Sequence, residues 1–120
     1  MYKLFLDDYR TPEMVTWKRL PPGPWVVVAN WTEFKGIIDV RGVPEFVTYD
    51  HDLADIHYTG TGQIELSGVE CAEYLVNRCR ELDIPHPPYE IHSMNPVGAV
   101  RIRNTIEDYN RERHQDHTHQ

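Results

Sequence analysis

The sequence predicts an α/β fold built on a parallel sheet of about four short strands. Three observations carry this. Short apolar runs alternate with longer segments of helical period along the 120 residues, the pattern of strands joined by right-handed crossovers. Three of the runs end in titratable residues. Lys3-Leu4-Phe5-Leu6 meets Asp7-Asp8, Phe46-Val47-Thr48-Tyr49 meets Asp50-His51-Asp52, and Tyr89-Glu90-Ile91 meets His92-Ser93. In a parallel sheet such ends lie side by side, on the edge where open α/β sheets bind ligands.

The first strand is read over residues 2 to 6, and Tyr9-Arg10-Thr11-Pro12 then turns the chain. Pro21-Pro22-Gly23-Pro24 excludes a helix, so any helix here is confined to about Pro12 to Arg19. Trp25-Val26-Val27-Val28-Ala29 is a continuous apolar run, the pattern of a strand covered on both faces. Asn30 or Thr32 caps the next helix, with Phe34, Ile37 and Ile38 facing inward and Gly42 as its stop. The third strand spans residues 45 to 50.

Residues 54 to 66, with His57, Tyr58, Gly60 and Gly62, show no sustained period and read as a long loop. An ordered loop of that length beside a strand end is more often functional than neutral. Ser67-Gly68-Val69-Glu70 matches a capping box. The helix behind it carries Val69, Ala72, Leu75, Val76, Cys79 and Leu82 at helical spacing and ends before Pro85, Pro87 and Pro88. A fourth strand follows over Tyr89 to His92. Asn95-Pro96 opens the last helix, with Ala99, Ile102, Ile106 and Tyr109 as its inner stripe. The chain turns polar from Arg111, giving one domain over 1–113 and a disordered tail over 114–120.

Hydrophobic content of 40% and charged content of 26% suit one globular domain. No apolar run is long enough to span a membrane and no signal-peptide pattern opens the sequence, so the expectation is a cytoplasmic protein. Cys71 and Cys79 fall on the apolar side of one helix and read as buried free thiols. A net charge of -7 disfavours non-specific binding of duplex DNA. A small phosphorylated substrate remains compatible, because one divalent cation reverses the potential of an acidic pocket.

Adjacent carboxylates Asp7 and Asp8, with Asp50 and Asp52 at a neighbouring strand end, suit a hard cation such as Mg²⁺ or Mn²⁺. The plainer alternative is an acidic loop or a helix cap. His51 is a candidate metal ligand or general acid-base, with Asp52 orienting it. Its alternative is a loop histidine bonded to a carboxylate. His92 repeats the placement, against the alternative of a satisfied core histidine. Ser93 and Asn95 precede a helix start, where free N–H groups bind anions, and Gly98 leaves room for close approach. Capping explains the same residues. Ser67 and Gly68 open a second such helix end. Arg10 is placed to hold a phosphate or to pair with Asp7 and Asp8. Trp17, Trp25 and Trp31 are assigned to no site. His114, His117 and His119 belong to the polar tail.

Taken together, Leu6-Asp7-Asp8-Tyr9-Arg10-Thr11-Pro12, Tyr49-Asp50-His51-Asp52-Leu53, Ser67-Gly68 and Ile91-His92-Ser93-Met94-Asn95-Pro96-Val97-Gly98 resemble the cyclic-phosphate processing receiver-like family. The pieces occur in family order and span most of the chain. The resemblance implies a receiver-like, flavodoxin-like three-layer fold and a role in processing cyclic phosphates of nucleotides or RNA ends. Signalling receivers carry an acidic pair, a phosphorylatable Asp, a Thr or Ser, and a Lys after a fifth strand. Asp7, Asp8, Asp50 and Ser93 take the first four places, but neither a fifth strand nor its Lys is evident.

The leading reading is a metal-dependent phosphodiesterase. Asp7, Asp8 and Asp50 hold the cation, His51 and His92 share base and acid roles, and Ser93, Asn95, Gly98, Ser67 and Gly68 hold phosphate oxygens. Arg10 stabilises charge in the transition state. Two alternatives stay open: a non-catalytic module that binds a nucleotide or a protein partner, and a phospho-acceptor at Asp50. The oligomeric state is not legible.

Overall fold

Four apolar runs form one parallel sheet: β1 (Lys3–Leu6), β2 (Trp25–Val28), β3 (Phe46–Tyr49) and β6 (Tyr89–Ile91), side by side in the order β2-β1-β3-β6. The structure, a computed structural model, describes residues 1–53, 56–59 and 62–118, with side chains over 1–53 and 66–115. Leu6 is in register with Val28 on one side and Tyr49 on the other, and Tyr49 with Ile91. This is the receiver-like, flavodoxin-like α/β arrangement, with four parallel strands among the described residues.

The strands are about a residue shorter than expected, and ladder bonds continue past them: Asp7 N–H donates to Val28, Asp50 N–H to Leu6 and His92 N–H to Tyr49 carbonyls. Of three helices, α1 (Trp31–Arg41) and α2 (Gly68–Leu82) form crossovers and α3 (Pro96–Thr118) follows the last strand. Asn30 rather than Thr32 caps α1, its side chain accepting from the Glu33 N–H at 2.8 Å, and Gly42 ends it at φ 84°. The capping box at Ser67 and Glu70 forms as expected.

The two faces of the sheet are covered unequally. Leu4, Leu6, Val28, Val47, Tyr49 and Ile91 join Phe34 and Ile38 of α1, Leu75 and Cys79 of α2, and Ile102 and Ile106 of α3 in one apolar cluster. All three helices therefore share a face. The connection from β1 to β2 steps across the sheet in the opposite sense to the later crossovers. A right-handed connection then requires it to run over the other face. That connection is mostly non-helical: a single 3-10 turn at Pro12–Met14 replaces the longer helix allowed up to Arg19. Beneath it Phe5 stacks on His92, with ring centroids 4.6 Å apart, and Trp25 meets Phe5 and Phe46 edge-on. Val27 is 47% exposed, so β2 is not covered on both faces as its composition predicts.

Three further expectations are corrected. The segment read as a loop contains an antiparallel hairpin, β4 (Ile56–Thr59) paired with β5 (Gly62–Glu65). Ala54, Asp55, Gly60 and Thr61 of that segment lie outside the described residues. Alternating Ile and Tyr around a two-residue connection is a hairpin pattern too short to register as a period. Leu82 is 55% exposed, because it closes the last turn of α2 where Asp83 adopts a left-handed conformation and redirects the chain. The helical run of α3 continues through Arg111 to Thr118. Arg113, the last residue before the expected tail, pairs with Asp83 at 2.8 Å.

Cys71 and Cys79 are buried free thiols, as their spacing predicts. At the outer edge of β6, the Ile91 N–H donates to the neighbouring Glu90 carboxylate at 3.1 Å, and Lys18 pairs with that carboxylate at 3.5 Å. Among the described residues no helix is long and apolar enough to cross a membrane.

Candidate metal and phosphate site

The chain moves from β1 outward to β2 and then back past β1 to β3, which leaves a switch point between the C-terminal ends of β1 and β3. Asp7, Asp8 and Asp50 meet there, with one carboxylate oxygen of each within 4.8 Å of the others. Asp7 and Asp50 are buried and Asp8 is exposed.

The two buried carboxylates have opposite surroundings. Burial pushes Asp7 upward, but a hydrogen bond from His92 and the N–H groups of Arg10 and Tyr9 outweigh it and hold its pKa at about 2. Both amides donate to Asp7 Oδ1 at 2.8 Å. Asp50 is raised above the ordinary carboxylate range, first by burial and then by the charge of Asp7. Its one strong partner is the His51 N–H, at 2.9 Å. Arg10 lies between them, 3.3 Å from Asp7 and 4.0 Å from Asp50, with its guanidinium over the Trp17 ring. The ion pair foreseen for Arg10 is thus formed with Asp7. The pocket has negative charge in excess of what this one cation neutralises, a condition that favours a bound divalent ion.

The two histidines are placed differently. His92 has no exposure. Its Nε2 faces Asp7 Oδ2 at 3.0 Å and its Nδ1 faces Thr48 Oγ1 at 2.8 Å. With both nitrogens engaged, His92 has the surroundings of a satisfied core histidine and meets the site through Asp7. His51 Nδ1 lies 2.7 Å from Asp52 Oδ1, while its Nε2 is buried with no hydrogen-bond partner. Since an ionised Asp52 only accepts, the proton sits on Nδ1 and the Nε2 lone pair is left over. An unpaired buried nitrogen costs about 1–3 kcal/mol.

Two glycines make this arrangement possible. A Cβ on Gly68 would collide with the Asp50 carbonyl, and one on Gly98 would collide with the His51 ring. Only glycine lets the starts of α2 and α3 close on the end of β3.

Other expected site residues are held internally. Asp52 is exposed and stands apart from the three-carboxylate group; it accepts from His51 and from Asn95 Nδ2 at 3.2 Å. Of the four carboxylates expected near the cation, Asp7, Asp8 and Asp50 gather, while Asp52 pairs with His51. At the start of α2 the Gly68 N–H donates to the His51 carbonyl and the Val69 N–H to Ser67 Oγ, while the Ser67 N–H goes to Glu70. That end is a cap in which the Gly68 and Val69 amides are already engaged. Ser93 Oγ accepts from the Asn95 N–H at 3.1 Å and Asn95 Oδ1 from the Gly98 N–H at 2.9 Å, so capping accounts for these bonds too. Sequence reasoning missed Trp17, whose Nε1 donates to the His92 carbonyl at 3.1 Å beneath Arg10. Nothing in the aperiodic, proline-rich segment signals that contact.

Residues 2–108 match the model of the cyclic-phosphate processing receiver domain. The chain belongs to that family. No curated protein and no solved structure matches it. Membership brings a role in cyclic-phosphate processing to a chain whose three carboxylates gather where a receiver fold opens its crevice.

Proposed function

We propose that the protein hydrolyses a cyclic phosphate of a nucleotide or an RNA end, with Asp7, Asp8 and Asp50 holding one Mg²⁺ or Mn²⁺. The observation that carries this reading is the meeting of three carboxylate oxygens within 4.8 Å at the switch point, in a family named for cyclic-phosphate processing. When bound, the cation neutralises phosphate oxygens and makes a water more acidic.

The chain's own residues supply the remaining parts. His92 keeps Asp7 ionised and aimed. Arg10 contributes positive charge beside the phosphoryl group as charge builds there. Asn95 steadies Asp52, Asp52 fixes the His51 tautomer, and the His51 Nε2 lone pair takes the proton of the attacking water. The water oxygen bonds to phosphorus, the bond to one ring oxygen breaks, and that oxygen takes up a proton, giving a phosphomonoester and a free hydroxyl. Because Nε2 is enclosed in the present arrangement, its ring has to be uncovered as substrate enters.

That enclosure favours a second reading, a module that binds the cyclic phosphate without turning it over. One experiment separates the two. The protein is incubated with 2′,3′-cyclic, 3′,5′-cyclic and cyclic dinucleotides, each with Mg²⁺, Mn²⁺ or EDTA, and products are read by mass. Gain of one water that needs metal and falls at least 100-fold in Asp50→Asn is the expected result. Retention of a ligand without product moves the assignment to the binding module. Turnover that survives both EDTA and Asp50→Asn overturns the metal assignment.

A further inference from the structure

The carboxylate cavity is lined by Asp8, Tyr9, Arg10, Asp50, Asp52 and Met94 and has a volume of about 190 Å³. Pockets that enclose a whole organic ligand run to roughly 300–1,000 Å³. A cation and a phosphoryl group belong on the charged floor at Asp8, Arg10 and Asp50. The rest of any ligand must then lie at the mouth.

The exposed lining residues include two apolar side chains beside the acidic ones. Tyr9 is 79% exposed and Met94 65% exposed, and both line the cavity. Val97, one helical turn beyond Met94, is 72% exposed. Neither Tyr9 nor Met94 belongs to the apolar core cluster. The Tyr9 ring makes no ring contact and no side-chain hydrogen bond among the described residues. Exposed apolar side chains scattered singly need no explanation. Two at the lip of one charged cavity do.

Both are also held in place by the floor they overlook. The Tyr9 N–H donates to Asp7 Oδ1, the carboxylate whose other oxygen meets His92. Met94 is carried between Ser93 and Asn95, which are bonded to each other, and Asn95 is tied to Asp52. The backbone at both positions is thus fixed to the cavity while the side chains stay open. An aromatic ring and a polarizable thioether are suited to the flat face of a heterocycle, and stacking of a base on a protein ring is a strong, sequence-tolerant contact.

We infer that Tyr9 and Met94 receive the base of the ligand, so that the site selects nucleoside cyclic phosphates over sugar or polyol cyclic phosphates. The inference rests on the proposed cyclic-phosphate reading for the floor of the site but not on turnover.

The test is equilibrium titration of the full chain in Mn²⁺. Its ligands are uridine and adenosine 2′,3′-cyclic monophosphates, a short oligoribonucleotide ending in the same group, and glycerol 1,2-cyclic phosphate, which keeps the phosphate ring without a base. Base-bearing ligands are expected to bind at least tenfold more tightly than the glycerol compound. Tyr9→Ala and Met94→Ala are each expected to remove most of that advantage while base-free binding stays within twofold, and Tyr9→Phe is expected to restore it. Tighter binding of the oligoribonucleotide assigns the ligand to an RNA end, and equal binding assigns it to a free nucleotide; either supports the inference. Equal affinity for base-bearing and base-free ligands overturns it, as does an equal loss of both in Tyr9→Ala. Base-dependent binding without hydrolysis removes the enzyme reading and leaves this one standing. Failure of every cyclic phosphate to bind overturns both.

Discussion

His51 and His92 end neighbouring strands and look equivalent in the sequence, yet the structure gives them opposite surroundings. His92 has every polar atom satisfied, by Thr48 below and Asp7 above, and lies flat on Phe5. His51 has one nitrogen on an exposed carboxylate and the other buried without a partner. A satisfied histidine contributes to the fold; an unsatisfied one costs stability and is retained where chemistry uses it. The difference teaches that a strand-end histidine is read from its unpaired atom rather than from its position.

Removing each ring breaks the comparison most directly. His92→Ala leaves a cavity, loses the stack on Phe5 and strips Asp7 of a partner, so it is expected to cost about 3 kcal/mol or more in a denaturant titration. His51→Ala is expected to cost under about 1 kcal/mol in the same titration, while abolishing any hydrolysis. Equal stability losses would erase the distinction.

A third histidine, buried like His92, sharpens it with a pH series. The His86 Nδ1–H donates to the Pro87 carbonyl at 2.7 Å, and its Nε2 accepts from the Tyr49 hydroxyl at 2.8 Å, with no carboxylate in its hydrogen bonds. Burial pushes its pKa down to about 4, against an opposing bond to the Pro87 carbonyl. The unfolded chain takes up this proton near pH 6.5, and the folded chain only near pH 4. Its contribution is therefore whole above pH 6.5 and declines as pH falls toward 4, by about 3 kcal/mol in all. Chemical denaturation between pH 7 and 4 should show that slope, and His86→Gln should flatten it. An unchanged slope in the variant would assign the loss elsewhere.

A smaller expected loss of stability than that of His92→Ala comes from Gly98→Ala. An added methyl collides with the His51 ring, and the ring can yield because Asp52 beyond it is exposed. The expected cost is about 1–2 kcal/mol, with a loss of at least tenfold in any turnover. Retained turnover would show that the His51 ring position is not used.

Much of the fold is legible because apolar runs and caps are local signals. Asp7, Asp8 and Asp50 are legible as a group for the same reason: a strand end fixes where the next residue goes. Asp52 is not, because it lies three residues past the end of β3, where ladder bonds no longer dictate direction. The hairpin is hidden by its brevity. The Ser67 cap and its bond to Glu70 are read correctly as a capping box, but the capture of the Gly68 N–H by the His51 carbonyl depends on a tertiary contact. Tyr9 falls between charged residues and Met94 between polar ones that draw attention first, and only exposure singles them out.

One detail at the border of the sheet has a consequence for the protein in a crowded solution. A strand on the outside of a sheet offers its outward N–H groups to any passing extended chain, and runs of such groups template aggregation. β6 is only three residues long. The outward N–H of Ile91 is already taken by Glu90, a charged side chain that a docking strand would have to displace together with Lys18. The sheet can therefore stop at β6 without leaving a sticky seam, and the fourth strand serves as a finished border.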